Sequence, residues 1–239
     1  MGTVTFVMRE PGGNMPSRVE RFFELTLQAG ALSFGRFTLK SGRESPYFFD
    51  LGRIQNGPAI AELGTLYAET LIETGWRFEG LYGPAYKGIP LVVTTAIALS
   101  GRFGENRPYA FNRKEAKDHG EGGRLVGGPL KGHIVLIDDV ITAGTAIRES
   151  VSLIQAAGAH ALGAIVALDR EERGQGTGSA VEDARRESGL KIAAIATFSD
   201  LVDYLSDQKR WKETRQALAD YRARYGTGPA GSPSTPINC

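Results

Sequence analysis

Val135-Leu136-Ile137-Asp138-Asp139-Val140-Ile141-Thr142-Ala143-Gly144-Thr145 is the stretch on which the fold turns. The apolar run His133 to Ile137 reads as a strand buried on both faces. Two carboxylates end it, and a loop of small residues then opens a helix from about Thr145 to Ala157. Carboxylates accept hydrogen bonds from sugar hydroxyls. The loop presents free N–H groups at a helix N-terminus, with the hydroxyls of Thr142 and Thr145 as further donors. An acidic pair beside an anion cradle fits a sugar phosphate. An ordinary strand end with helix capping accounts for the parts, but poorly for the whole eleven-residue pattern.

The same alternation continues on either side. Phe78 to Tyr82 reads as a strand before a Gly-Pro turn and a helix, Ile89 to Leu99. Tyr109 to Phe111 reads as a strand tail before a charged, glycine-rich stretch reaching Gly128. Ala161 to Leu168 and Lys191 to Thr197 are further strands, with helices near Ala180 to Glu187, Leu201 and Thr214. Unbroken apolar runs alternating with helices predict an α/β fold, a central, mostly parallel twisted sheet with helices on both faces. Upstream, a helix from Ser17 to Ala29, strands Phe34 to Leu39 and Pro46 to Leu51, and a helix Pro58 to Thr74 form a small N-terminal hood. Residues 16–225 are expected to be a single domain, 1–15 a flexible extension and 226–239 a disordered tail.

Charge is balanced, 28 basic against 27 acidic residues for a formal net of +1, which gives no support to a nucleic-acid or membrane-surface role. No apolar run approaches the ~20 residues needed to span a bilayer. Met1 to Glu10 lacks a signal-peptide pattern, and Phe6 stands where a myristoylation signal wants Ser or Thr. The one cysteine, Cys239, permits no internal disulfide, so a cytoplasmic location is expected. His133 and His160 fall outside any metal-ligand spacing. The 31 glycines gather in short loops, which predicts tight turns and close backbone approach to a ligand.

Ligands of open α/β sheets bind beyond the carboxyl ends of the strands. Four unusual segments each follow a predicted strand: Gly83 to Gly88, Asn112 to Gly123, Asp138 to Ala146, and Asp169-Arg170. The first has P-loop glycine spacing, but Ile89 and Pro90 replace the Lys and Ser/Thr that a P-loop needs, and no G-x-G-x-x-G follows a strand. The second carries Arg113, Lys114, Lys117 and His119, then five glycines between Gly120 and Gly128. Alone it reads as a solvated charged loop. Beside an anion cradle it fits a cationic lid closing over developing negative charge.

The Val135 to Thr145 segment resembles the diphosphoribose-binding signature of type I phosphoribosyltransferases. Phe111 to Gly123 is similar, nearly residue for residue, to the catalytic loop of orotate phosphoribosyltransferases. The resemblance spans about residues 17–225, and the two ends have no counterpart. It implies that 5-phosphoribosyl diphosphate is bound by Lys40, Tyr86, Lys87, Arg113, Lys114, Lys117, His119, Asp138, Asp139, and the loop Val140, Ile141, Thr142, Ala143, Gly144, Thr145 and Ala146. It implies orotate contacts from Phe48, Phe49, Thr142 and Arg170. Core packing competes for one of the two phenylalanines, because strand neighbours face opposite ways. A surface ion pair competes for Arg170. A guanidinium that grips orotate's carboxylate bidentately would suit the chemistry.

The reaction implied is displacement of pyrophosphate at the anomeric carbon by a ring nitrogen of orotate. Lys117, His119, Asp138 and Asp139 are the expected catalytic residues, with Lys117 foremost. Mg2+ would be held mainly by substrate and water, with no dedicated protein cage. A homodimer is expected, because the family's lid reaches into the neighbouring subunit. Two rival readings remain: a salvage transferase for a purine or uracil, which has no use for Arg170, and a non-catalytic sensor, which has no use for the lid.

Overall fold

The computed structural model describes residues 16–39, 41–114, 124–141, 144–174, 178–206 and 209–227. The chain enters through α1 (Arg18–Gln28), started by a reciprocal capping box in which Ser17 Oγ accepts from Glu20 N–H and Glu20 accepts from Ser17 N–H. An antiparallel hairpin of β1 (Leu32–Thr38) and β2 (Glu44–Phe49) follows, then α2 (Gly57–Glu73), whose Asn56 cap and Pro58 mark its start. Arg21 joins α1 to α2 through Glu62 at 2.8 Å and Glu69 at 3.0 Å.

The larger sheet is built from β3 (Gly80–Gly83), β4 (Tyr109–Asn112), β5 (Leu125–Gly127), β6 (His133–Asp138), β7 (His160–Asp169) and β8 (Lys191–Thr197), in the spatial order β5-β4-β3-β6-β7-β8. All neighbouring pairs are parallel except β4 with β5, so the sheet is mostly parallel, as its apolar runs predict. The connecting helices are α3 (Gly88–Phe103), α4 (Thr145–Ala156) and α5 (Ala180–Ser188), with α6 (Phe198–Ser206) and α7 (Lys212–Tyr225) completing the chain.

Strand alternation sorts the core into two clusters. Val135 and Ile137 join Leu81, Ile165 and Ile195 on the face covered by α1, α2, α3 and α6. Ile134 and Leu136 join Ala164, Val166 and Ile192 on the opposite face, under Ile147 and Ile154 of α4 and Val181 and Ala184 of α5. Helices therefore cover both faces. α2 and α3 meet so closely that a Cβ at Gly64 would stand 2.6 Å from the Thr94 carbonyl oxygen.

Two details depart from the sequence reading. α3 continues past Leu99 to Phe103 and stops at Gly104, whose left-handed φ of +68° provides the cap. β5 lies inside the stretch read as irregular. Three residues between glycines carry too little pattern to announce a strand.

Candidate active site

Because β3, β4, β6 and β7 are parallel, Gly83, Asn112, Asp138 and Asp169 all leave the sheet along one edge. The turn after β3 is pressed against its neighbours. A Cβ on Gly83 would lie 2.2 Å from the Gly88 carbonyl oxygen, and one on Gly88 would lie 2.5 Å from Pro84 and 3.0 Å from the Ile137 oxygen, so neither position has room for a side chain. Asn112 anchors the turn from β4: its buried Oδ1 accepts from the Tyr82 hydroxyl and from Ala85 N–H, both at 2.9 Å. The Ala85–Tyr86 peptide is cis. Tyr86 is 65% exposed, with the Lys114 ammonium 4.9 Å from its ring centre. Lys87 donates to Asp139 Oδ2 at 2.7 Å and to Asp50 Oδ1, just after β2, at 3.3 Å. Burial works against the Lys87 charge, but the two carboxylates outweigh it and raise its pKa.

The acidic pair is wired into its own backbone. Asp138 Oδ1 accepts from Asp139 N–H at 2.9 Å, and Asp139 Oδ1 accepts from Val140 N–H at 2.8 Å. The buried Tyr67 hydroxyl of α2 donates to the Asp138 carbonyl at 2.7 Å, fixing the strand end from below. Burial first, and the Asp139 charge second, push the Asp138 carboxyl up to about 7. Beyond the pair, Ile141 is buried and Val140 half-buried, which seats the loop on the core. Gly144 takes a φ of +69° and precedes α4, and Thr145 and Ala146 in its first turn are exposed. Among the described residues no side chain caps this helix, so its first N–H groups have no capping partner there, as an anion site requires.

At the end of β7, Arg170 is gripped rather than free. Its Nε donates to Glu172 Oε1 at 2.6 Å, its guanidinium lies 4.4 Å over the Tyr47 ring, and Nη2 is 3.5 Å from the Tyr221 hydroxyl. On β2, Phe49 packs on Phe22 in the core, while Phe48 turns to the other face, against Phe37.

A family model described as the phosphoribosyl transferase domain matches residues 50–183. Orotate phosphoribosyltransferase of Edwardsiella ictaluri is 53% identical over 212 residues, 89% of this chain and 100% of that one. The Methylococcus capsulatus enzyme of the same name is 55% identical over 206 residues, covering 86% and 96%. The chain belongs to the orotate phosphoribosyltransferase family. The crystal structure of the family member from Francisella tularensis superposes with a TM-score of 0.78 at 35% identity, covering 86% of this chain and 98% of that one.

Within this family member, Tyr86, Lys87, Asp138 and Asp139 come together at one sheet edge, with Lys114 against Tyr86. Arg113 continues β4 and pairs its N–H with the Arg124 carbonyl at 2.7 Å. Arg170 stands beyond the neighbouring strand, and its ion pair with Glu172 is largely buried. Of the two phenylalanines, Phe49 belongs to the core and Phe48 does not. Lys40, Lys117, His119, Thr142 and Ala143 lie outside the described residues. Sequence reasoning missed Asp50, Asn112, Tyr67 and Glu172. Asp50, Asn112 and Tyr67 act through partners 27 or more positions away, and Glu172 is held by Arg43 and Tyr221 from distant parts of the chain.

Proposed function

We propose that this chain transfers ribose 5-phosphate from 5-phosphoribosyl diphosphate to orotate, giving orotidine 5′-phosphate and pyrophosphate, a step of de novo pyrimidine (UMP) synthesis. The observation that carries the proposal is identity above 50% along the whole length of relatives bearing that activity in their names. The convergence of Lys87, Asp138 and Asp139 at one sheet edge, beside an open helix N-terminus, supports it.

Asp138 and Asp139 accept hydrogen bonds from the ribose hydroxyls and favour positive charge growing on the sugar. The uncapped N–H groups at the start of α4, with the Thr145 hydroxyl, receive the 5′-phosphate. Lys87 leaves Asp139 for the departing pyrophosphate, joined by Arg113, Lys114 and the lid residues Lys117 and His119. Lys40 adds a further cation. Phe48 covers one face of the orotate ring, Phe49 supports it from the core, and Thr142 and Arg170 take its polar groups. The donors offered at the end of β6 are carboxylate oxygens, which suit Mg2+ held mainly by diphosphate oxygens and water. When bound, the ion neutralises pyrophosphate charge. Among the described residues, no group of three or more His, Cys, Asp or Glu side chains could hold a metal by itself.

The enzyme works as a homodimer, each lid closing over the neighbouring subunit's site. α3 offers Ile97, 67% exposed, and Phe103 as apolar surface for the second copy. Mixing a lid variant with an Asp138/Asp139 variant should restore activity if lids are exchanged. A cytoplasmic location fits nucleotide synthesis by a chain with a single cysteine.

A pyrophosphate-release assay with orotate, uracil, adenine and hypoxanthine side by side tests the reaction. Release with orotate alone is expected. Comparable turnover with a base lacking the carboxylate would replace the orotate reading with that of a salvage enzyme.

A further inference from the structure

The Arg170 side chain is fixed before any ligand arrives, and one residue does most of the fixing. Glu172 is nearly buried, 13% exposed, yet it takes three donors: Arg170 Nε at 2.6 Å, the Tyr221 hydroxyl at 2.8 Å and Arg43 Nη1 at 3.3 Å. These donors come from the β7 exit, the last helix and the turn of the β1–β2 hairpin, so Glu172 ties together three parts of the chain. The segment carrying it is equally constrained. Asp169 Oδ1 accepts from Glu171 N–H at 2.9 Å, and Glu171 adopts a φ of +49°, rare for a residue with a side chain. Glu171 also accepts from the Ser199 N–H and hydroxyl at the start of α6, at 3.0 and 2.6 Å. Arg173 N–H donates to the carbonyl of Tyr225, the last residue of α7, at 2.8 Å, and Thr227 N–H donates to the Glu171 carbonyl at 3.1 Å, closing the segment onto the end of that helix.

A guanidinium has two usable edges and two faces. Glu172 occupies the Nε edge of Arg170 and Tyr47 covers one face. The Nη edge remains, and among the described residues its one hydrogen bond is the long 3.5 Å approach to Tyr221. An arginine held in this way offers two parallel donors in one direction, the geometry that a planar carboxylate accepts bidentately. An unheld arginine would have to freeze its long side chain at the moment of binding.

We infer that Glu172 is the positioning residue for orotate selectivity, aiming the Nη edge of Arg170 at the carboxylate of the incoming base. The inference rests on the reading of Arg170 as an orotate contact. It assigns Glu172 no contact with substrate. Tyr221 and Arg43 hold the Glu172 carboxylate and act one step further out.

The test measures KM for orotate and for 5-phosphoribosyl diphosphate in the full-length enzyme, for Arg170→Gln, Glu172→Gln and the double variant. Glu172→Gln should raise the orotate KM about tenfold and leave the diphosphate KM within about twofold. In the Arg170→Gln background it should add nothing to the orotate KM. A structural role alone would move both constants together and would persist in the double variant. If Arg170→Gln raises the orotate KM while Glu172→Gln leaves it unchanged, Glu172 loses its role and the Arg170 reading survives. If Arg170→Gln itself leaves it unchanged, both fall. Should Glu172→Gln not fold, Tyr221→Phe decides. It removes one donor to the same carboxylate and keeps the ring, and it should raise the orotate KM about threefold with no change for the diphosphate. An unchanged orotate KM in that variant overturns the inference.

Discussion

Asp138 makes the stability of the ligand-free protein depend on pH in a direction opposite to that of most carboxylates. Its carboxyl titrates at about 7 in the folded protein against an ordinary 3.8, because it is buried at a strand end beside Asp139. Between those two values the folded chain keeps a proton that the unfolded chain has released. Stability is therefore lost as pH rises from about 4 to about 7. A displacement near three pH units, at ~1.4 kcal/mol each, amounts to about 4 kcal/mol over the full window. Asp138→Asn retains a side-chain oxygen for the Asp139 N–H but cannot ionise. Urea unfolding at unit pH steps from 4 to 8 should show the variant gaining about 3 to 4 kcal/mol on the wild type across the series. Asp139→Asn tests the division of causes. It removes the neighbouring charge but leaves the burial, the larger cause, so the slope should shrink without vanishing. A difference between wild type and Asp138→Asn that stays flat within about 1 kcal/mol would refute the reasoning, since Asp138 would then be ionised throughout.

Four other substitutions test separate contacts. Gly88→Ala puts a Cβ 2.5 Å from Pro84 and 2.8 Å from the Gly83 carbonyl carbon. The turn must shift, at about 1–3 kcal/mol of stability by thermal melting, and the diphosphate KM should rise as Lys87 moves with it. Two buried tyrosines make a matched pair, because the Tyr67 hydroxyl donates to the Asp138 carbonyl while the Tyr47 hydroxyl has no hydrogen-bond partner among the described residues. Tyr67→Phe should cost about 1 kcal/mol in urea unfolding, whereas Tyr47→Phe should be neutral or stabilising. A comparable loss in both would show that packing, not pairing, sets the cost. Asp50→Asn removes one of the two carboxylates holding Lys87, and both partners are partly exposed, so stability should change by less than about 1 kcal/mol. With less holding Lys87 back, the diphosphate KM should fall by up to about fivefold. A rise instead would mean that Asp50 aims Lys87 at the ligand.

The fold was legible because its central strands are buried on both faces and so appear as continuous apolar runs, each cut off by a residue with different chemistry: Gly83, Asn112, Asp138, Asp169. The same feature exposed half of the site, since a parallel sheet must deliver those residues to one edge. The other half was hidden for a physical reason. Tyr67 sits in an apolar helix 71 positions from the carbonyl it holds, and its hydroxyl is invisible to any pattern of hydrophobicity. Asn112 reads as the first polar residue of a charged stretch, although its carbonyl oxygen faces the β3 turn.

Arg170 shows where local reading reaches its limit. From the sequence, a surface ion pair of little consequence competes for Arg170, with no partner named. The structure pairs Arg170 with Glu172, largely buried beneath Tyr47 and Tyr221, so the guanidinium becomes a fixed donor array. An exposed pair in this position would leave the guanidinium free to rotate. Burial is the difference, and burial here depends on α7, more than forty positions downstream. The setting of the Arg170 guanidinium therefore depends on how the last helix docks as well as on the strand that leads into it.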